Sequence, residues 1–199
     1  MTIFGKQFSR AWRSRCVVLL CLLAVAGDWL WFSRPVTASQ QLRGYAVSGV
    51  QVIDVVMPSG GPTQLHGIAT EDSEEIQKLL GLLDQYPTNR KWDWSWLLGE
   101  GFGDYNGKDP YSSVWVVLSF RDADGKAGSL QYIVSETGRV QVFEPNRFGD
   151  VPAGVGRFGA EGAKQYFAAL HRFYEQKVDS PLWAPSTPTE EERSTGVDA

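Results

Sequence analysis

The chain has 199 residues with a formal net charge of −4, two cysteines and two histidines. The charge is divided unevenly, because residues 1–43 carry six Lys/Arg against one Asp, whereas residues 44–199 carry 13 Lys/Arg against 22 Asp/Glu. So acidic a second part gains nothing from counterion release on a phosphate backbone, which argues against nucleic-acid binding. Both cysteines lie within residues 16–21, so the rest of the chain has no disulfide and depends on a hydrophobic core.

The first 38 residues have the organisation of an export signal. Four basic side chains precede an apolar run, residues 16–32, that is interrupted by Gly27 and Asp28. A basic segment, an apolar segment and the small-residue ending Val36-Thr37-Ala38 are together typical of a signal peptide or of an uncleaved signal-anchor. We therefore predict that residues 1–38 are one or the other, and that they bring the chain to a membrane.

Both interpretations of this leader fit the sequence. Cleavage would follow Ala38, with Val36 at the −3 position, or would fall earlier, after Ala26. Retention would leave residues 16–32 as an anchor, near the lower limit of length for crossing a bilayer, with aromatic side chains at its outer end. In either case the basic residues hold the N-terminus inside. We expect an exported protein that is single-pass with its C-terminal domain outside, or secreted after the cut.

The remainder is predicted to form one domain between two polar segments. Residues 39–47 have the composition of a tether. Residues 178–199, with three prolines and a run of three glutamates, have that of a disordered tail. Few side chains in these segments can be buried to offset the entropy of ordering them. Residues 48–177 are long enough for a single core.

The first half of this domain predicts a hairpin followed by a helix. Residues 50–57 and 64–70 are β-rich runs on either side of a Pro/Gly turn cluster. Thr70 or Asp72 can cap the helix, the acidic residues that follow suit its positive end, and Pro87 ends it. Apolar side chains recur at helical spacing at Ile76, Leu79, Leu80, Leu83 and Tyr86.

The second half predicts a meander followed by another helix. Strands are expected over residues 111–121, 130–135 and 140–143, with tight turns at Asp124-Gly125 and Thr137-Gly138. Helical spacing then recurs at Ala163, Tyr166, Phe167, Leu170, Phe173 and Tyr174. The predicted fold class is α+β: an antiparallel sheet in the order β-β-α-β-β-β-α, two amphipathic helices on one face, and one hydrophobic helix at the N-terminus.

Four segments of the domain carry a resemblance, namely EDSEEIQKLLGLLDQYP, VWVVLSFRDADGK, QYIVSETGRVQVF and VGRFGAEGAKQYFAALHRFYEQ. This series resembles small exported bacterial α+β domains of unknown function, which often occur as lipoproteins or anchored surface proteins. The segment LQYIVSETGRVQVF is also similar to the closing hairpin of PepSY domains, which are implicated in restraining exported peptidases. Neither resemblance implies a catalytic residue.

The sequence gives no catalytic residue, metal site or cofactor. His66 and His171 are its only histidines, no Gly-x-Ser-x-Gly motif is present, and zinc-ligand spacings are missing. Both histidines are expected to be surface or helix-cap residues. Asp54, which interrupts a β-branched run, is expected to point to solvent on an exposed face, and the sequence names no partner that a catalytic carboxylate would need. The loop after Asp122 lacks the oxygen ligands of a calcium loop and is expected to be a hairpin turn.

The Trp-rich segment, residues 88–110, is the predicted binding surface. Its tryptophans alternate, which would place them on one face of an extended chain. Such side chains either cover an open edge of the core or form a platform for sugar rings or a partner protein. A turn-rich loop with oxygen-bearing side chains follows. The residues that we predict to bind are Trp92, Trp94, Trp96, Asp104 and Tyr105.

We therefore expect an exported or membrane-anchored surface domain that is not an enzyme and that binds a protein or a glycan through residues 88–110. Two alternatives remain. One is a PepSY-like restraint of an exported peptidase, and the other is an enzyme of unknown reaction that uses the loop carboxylates Asp93, Asp104 and Asp109. Binding is favoured because side chains capable of difficult chemistry are scarce and scattered in the sequence.

Overall fold

The computed structural model describes residues 10–59, 61–89, 110–122, 124–143, 154–156 and 159–186. The chain divides into two compact units, the first ending at Arg34 and the second beginning at Pro35. In the first unit, helix α1 runs from Arg10 to Phe32. In the described part of the chain, no helix combines the length and the hydropathy required to cross a membrane.

The second unit contains a single antiparallel sheet in the described residues. Its strands are β1 (Pro35–Val36), β2 (Ala46–Met57), β3 (Gln64–Thr70), β4 (Thr88–Asn89), β5 (Tyr111–Arg121), β6 (Ala127–Ser135), β7 (Val140–Phe143), β8 (Gly154–Gly156) and β9 (Ala184–Ser186). Its helices are α2 (Ala38–Gln41), α3 (Ser73–Asp84) and α4 (Gly159–Lys177). The strand order is β1-β4-β8-β7-β6-β5-β2-β3-β9. The predicted α+β class is confirmed, and all five predicted strands are present.

Strand β5 lies at the centre of the sheet, between β2 and β6, and its apolar sequence reflects that position. Val116 pairs with Val52 on one side and with Tyr132 on the other. Every residue from Val114 to Leu118 is buried, as expected for a strand covered on both faces. The buried even-numbered side chains of β2 and β5 from Val50 to Val52 and from Val114 to Phe120 join the main core with the helices, whereas Ile53, Val55 and Trp115 form a smaller buried cluster of odd-numbered residues.

Helices α3 and α4 pack on the even-numbered face through the predicted apolar stripes. Asp72 is the N-cap of α3, because its carboxylate accepts hydrogen bonds from the backbone N–H groups of Glu74 and Glu75, both at 3.0 Å. The helix residues buried in this core are Ile76, Leu79, Leu80, Leu83, Ala163, Tyr166, Leu170 and Tyr174. The periodicity of 3.6 residues therefore located both helices and the faces that they bury.

Two glycine turns set the register of the meander. Gly125 and Gly138 have φ values of +79° and +97°, which residues with a Cβ rarely adopt. In the first turn, the Asp122 carboxylate accepts hydrogen bonds from the backbone N–H groups of Asp124 and Lys126, at 3.0 and 2.8 Å. Both predicted hairpins are confirmed, and Asp122 serves the turn.

The segment predicted to be a tether, residues 39–47, is instead structured. Thr37 begins helix α2 with a capping box that includes Gln40, and the backbone N–H of Ser39 donates to a carboxylate oxygen of Asp84 at 2.9 Å. Ala38 and Leu42 are 2% and 5% exposed and belong to the main core. Polar composition was misleading here, because one turn of helix needs only two apolar side chains on its inner face.

The predicted disordered tail, residues 178–199, is likewise ordered in its first part. Trp183 is 3% exposed within the main core, and β9 pairs with β3 from Gly67↔Ser186 to Ala69↔Ala184. Pro185 is compatible with this strand because an edge strand can leave one N–H side unpaired. Residues 187–199 lie outside the described residues. The folded unit therefore extends beyond the predicted limits of 48–177 at both ends.

Candidate functional site

The predicted binding residues cannot be placed. Trp92, Trp94, Trp96, Asp104 and Tyr105 all lie outside the described residues, as do Asp93 and Asp109, the carboxylates of the enzyme alternative. The structure describes the two ends of the Trp-rich segment, where Thr88–Asn89 form β4 and Tyr111 begins β5. The aromatic binding surface therefore stays a prediction.

Asp54 differs from its predicted position, because it does not face solvent on an open side of the sheet. It has the same parity as Val50 and Val52, which are buried on the face that the helices cover. Its side chain is only 13% exposed and lies opposite His66 in the β2–β3 pair. The alternation of side chains along β2 already implies this position, since residues two apart share a face.

His171 of α4 lies beside Asp54. Its Nε2 is 3.8 Å from Asp54 Oδ1, and its Nδ1 is 3.6 Å from an oxygen of Glu175, one helical turn further along. The imidazole is 35% exposed, and its ring centroid is 5.7 Å from that of Phe167. It flanks the apolar stripe of its helix. Strand β2 brings a carboxylate to one side of the ring, a neighbour that the sequence did not indicate.

The buried charge of Asp54 is only partly compensated by its neighbours. Burial raises the pKa of Asp54, and the nearby His171 and His66 lower it in part. Among the described residues, no donor lies within hydrogen-bonding distance of Asp54 Oδ1, although this oxygen is buried. Tyr174, on the same helix as His171, has a raised pKa because of burial and, secondarily, because of the Asp54 charge. The Asp54 carboxylate is therefore desolvated without matching compensation.

A second buried carboxylate, Glu75, has the opposite character. It is 2% exposed and accepts hydrogen bonds from Lys78 at 2.7 Å, from Lys177 at 2.6 Å and from the indole N–H of Trp183 at 2.9 Å. Phe173 packs edge-on against Trp183, with ring centroids 5.6 Å apart. The ammonium of Lys177, followed by Lys78 and Trp183, lowers the pKa of Glu75 to about 2. Glu75 therefore stays ionised and ties α3, the end of α4 and the segment after it together.

The two clusters differ in the chemistry open to them. The Glu75 cluster has a donor for each carboxylate oxygen, so it suits a structural role. The Asp54–His171 pair keeps unfilled hydrogen-bonding capacity, because Asp54 Oδ1 has no hydrogen-bond donor among the described residues. The described residues contain no group of three or more His, Cys, Asp or Glu side chains arranged to hold a metal ion. Sequence analysis missed the role of Glu75, because a contact 102 residues away along the chain has no local signal.

No family, curated protein or solved structure matches this chain. The resemblances to exported domains and to PepSY hairpins therefore stay predictions. The function has to be argued from the chemistry of α1 and of the folded unit.

Proposed function

We propose that residues 1–38 deliver the chain to and across a membrane, and that the second unit acts outside the cell as a binding domain that is not an enzyme. The observation that carries the first half is the exposure of α1. Its large apolar side chains from Val17 to Trp31 are between 54% and 68% exposed. Leaving a Val or Leu side chain in water forgoes roughly 1.5–3 kcal/mol relative to burial, so such a helix requires an apolar environment.

The exposed surface extends around the whole helix. The successive residues Val17, Val18, Leu19 and Leu20, which are 57–66% exposed, follow one another at steps of about 100° and therefore point in all directions around the axis. A partner helix would cover one stripe, whereas lipid would cover every side. The all-round distribution supports insertion into lipid over docking on a protein.

The end of α1 favours retention as an anchor over cleavage. Trp29 and Trp31 are 54% and 68% exposed near this end, where tryptophan is common at a membrane interface. The Arg34 guanidinium lies 3.9 Å from the centroid of the Trp31 ring, a contact that suits a basic side chain reaching toward headgroups. Asp28 lies near the same end, where a charge is less costly than at the bilayer centre.

Topology can be tested with reporters fused behind residue 44. A reporter that is active only outside the cytoplasm should be active, and a cytosolic reporter should be silent. The variant Leu19→Arg/Leu23→Arg should reverse both signals, because a cation in mid-bilayer costs about 2.5–3.5 kcal/mol. Val178→Arg/Leu182→Arg, in full-length fusions, is the matched control, since it changes two exposed apolar side chains of the second unit. Cytosolic activity of the unmodified fusion would contradict the proposal.

Membrane retention and cleavage are separated by the mature N-terminus. Sequencing exported material should give the intact N-terminus, and the chain should resist extraction from membranes at high pH. A new N-terminus at Ser39 or Gly27, with release into the soluble fraction, would establish a cleaved signal. That result would support export of the chain but contradict membrane anchoring by residues 16–32.

The binding half of the proposal concerns the Trp-rich segment and rests on its sequence. The triple variant Trp92→Ala/Trp94→Ala/Trp96→Ala should lose capture on a glycan array, or crosslinking to a cell-surface protein, while its urea unfolding midpoint stays unchanged. Trp29→Ala/Trp31→Ala is the control for a general loss of aromatic surface. If the triple variant unfolds instead, the tryptophans belong to the core and the binding proposal loses its site. A crosslink to an exported peptidase would favour the PepSY-like alternative.

A further inference from the structure

The cleavage site predicted after Ala38 lies inside the folded unit. Val36, at the −3 position of this cut, is in strand β1 and pairs with Thr88 of β4. Thr37 is the N-cap of α2, and Ala38 is the first residue of that helix. The peptide bond that would be cut, between Ala38 and Ser39, therefore belongs to α2.

Packing and hydrogen bonds hold the residues around the cut, 35–42, which we call the processing segment. Ala38 and Leu42 are 2% and 5% exposed and belong to the main core. Ser39 donates twice to the carboxylate of Asp84 at the end of α3, from its backbone N–H at 2.9 Å and from its hydroxyl at 2.5 Å. The residue before the cut is therefore held by the core, and the residue after it is held by another helix.

This geometry is incompatible with binding to a peptidase. A peptidase binds the residues around a cut as an extended strand, and a signal peptidase accepts the side chains at −1 and −3 in pockets for small groups. In the folded unit the −1 side chain is buried in the core, and the backbone after it is helical. To be cut, the processing segment would have to leave β4, withdraw Ala38 and Leu42 from the core and break the hydrogen bonds to Asp84.

We propose that folding of the second unit controls the processing of the leader: once the processing segment has packed, the site after Ala38 is protected and residues 16–32 stay attached as an anchor. This inference rests on the export proposed above and names what decides between an anchor and a cleaved signal. Cleavage and folding exclude each other, because cleavage needs the segment extended and folding needs it packed. A chain that folds before it is cut keeps its leader.

Cleavage would also remove part of the folded unit. Hydrolysis of the bond consumes one water and leaves a carboxylate on Ala38 and an amino group on Ser39. Strand β1, the N-cap Thr37 and the buried Ala38 would leave with the leader, and β4 would lose its pairing with β1. The product of the cut should therefore unfold at a lower urea concentration than the intact chain.

Protection of the site can be tested on the full chain in nonionic detergent micelles. An elastase-type protease, which cuts after small residues, is added, and the products are identified by N-terminal sequencing. The unmodified chain should give no product that begins at Ser39. Leu42→Ala should increase the initial rate of this cut by about tenfold or more, because loss of the buried side chain raises the population of the open segment.

Two further variants make this result specific. Arg43→Ala changes an exposed side chain next to Leu42 and is the matched control, so its rate should equal that of the unmodified chain. Asp84→Ala removes both acceptors of Ser39 and leaves the residues around the cut unchanged, so its rate should rise about three- to tenfold even if Leu42→Ala fails to fold.

Three results in micelles would overturn the proposal. The first is a cut after Ala38 in the folded, unmodified chain, and the second is equal rates in Leu42→Ala, Asp84→Ala and Arg43→Ala. The third is an equal urea unfolding midpoint for the cut product and the intact chain of the same variant, because the processing segment would then not belong to the fold.

Pulse-chase labelling tests the same competition during export. The unmodified chain should keep its N-terminus, and the fraction that begins at Ser39 should be about tenfold or more higher in Leu42→Ala than in Arg43→Ala. An exported, unmodified chain that begins at Ser39 would contradict protection by folding and leave export supported. Failure of export itself would appear in the reporter fusions, whose signals would reverse while the rates in micelles stayed as described.

Discussion

The charge network around Glu75 gives the sharpest prediction about stability. Its pKa is about 2 in the folded chain against an ordinary value of 4.5. At about 1.36 kcal/mol per unit, this difference is worth about 3 kcal/mol of unfolding free energy. Because the folded-state pKa is the lower one, the contribution is fully present above pH 4.5 and is lost as the pH falls toward 2. The variant Glu75→Gln should lack this acid-dependent part of the stability.

The assay is urea unfolding of the full chain in nonionic micelles, followed by tryptophan fluorescence at several pH values between 7 and 2. The unmodified chain should lose about 3 kcal/mol more than Glu75→Gln over the interval from pH 4.5 to pH 2. Glu74→Gln is the matched control, because it removes the same charge from an exposed position in the same turn. Its stability should fall with pH in parallel with that of the unmodified chain.

The contribution of the indole donor can be separated from that of the two lysines. Trp183→Phe keeps most of the buried ring but removes the hydrogen bond of 2.9 Å to Glu75. We expect a loss of about 1.5–3 kcal/mol at pH 7, as for a hydrogen bond to a charged group, together with a rise in the pKa of Glu75. If the difference in unfolding free energy between Glu75→Gln and the unmodified chain is the same at pH 7 and pH 2, the ionised network does not stabilise the fold.

Three further substitutions test other features of the fold by the same urea assay. Asp54→Asn should raise the unfolding free energy at pH 8, because a group whose pKa is raised on folding opposes folding while it is ionised. This gain in stability should shrink as the pH falls and the carboxyl of the unmodified chain takes up its proton. A loss of stability at pH 8 would contradict the argument. Gly67→Ala should cost about 1–3 kcal/mol, since the added Cβ would lie 2.7 Å from the backbone oxygen of Ser186 and displace β9. Gly81→Ala, in an exposed position of α3 with no atom within 4 Å, should instead add about 0.5–1 kcal/mol, and equal effects at the two glycines would contradict both assignments.

The elements found from the sequence are those with strong local patterns. Strand β5 was located by its continuous apolar run, and the stripes of α3 and α4 by their 3.6-residue spacing. The turns at Gly125 and Gly138 were located because their backbone conformation favours glycine. In each case residues close together in the sequence determine the local structure, so these elements could be predicted without knowledge of distant contacts.

The parts that were missed depend on contacts between distant segments. Trp183 looked like a single aromatic residue in a polar tail, yet it is buried because Glu75, 108 residues earlier, accepts its indole N–H. Asp54 and His171 are likewise brought together by the packing of α4 on β2. The alternation along β2 implies the face on which Asp54 lies, although we predicted that it would point to solvent, and no local pattern indicates which residue of a helix will cover it.

The outermost strands of the sheet have a consequence for its solubility. Strand β1 has two residues and β9 has three, and each ends the row of strands on its own side. An edge strand this short offers few unpaired backbone groups to a neighbouring molecule. By covering the edges of longer strands, β1 and β9 disfavour aggregation through strand pairing. A chain trimmed to residues 48–177 would lack both β1 and β9, and the edge of the seven-residue β3 would be left unpaired. The short edge strands therefore limit the unpaired backbone that the described sheet exposes to a neighbouring molecule.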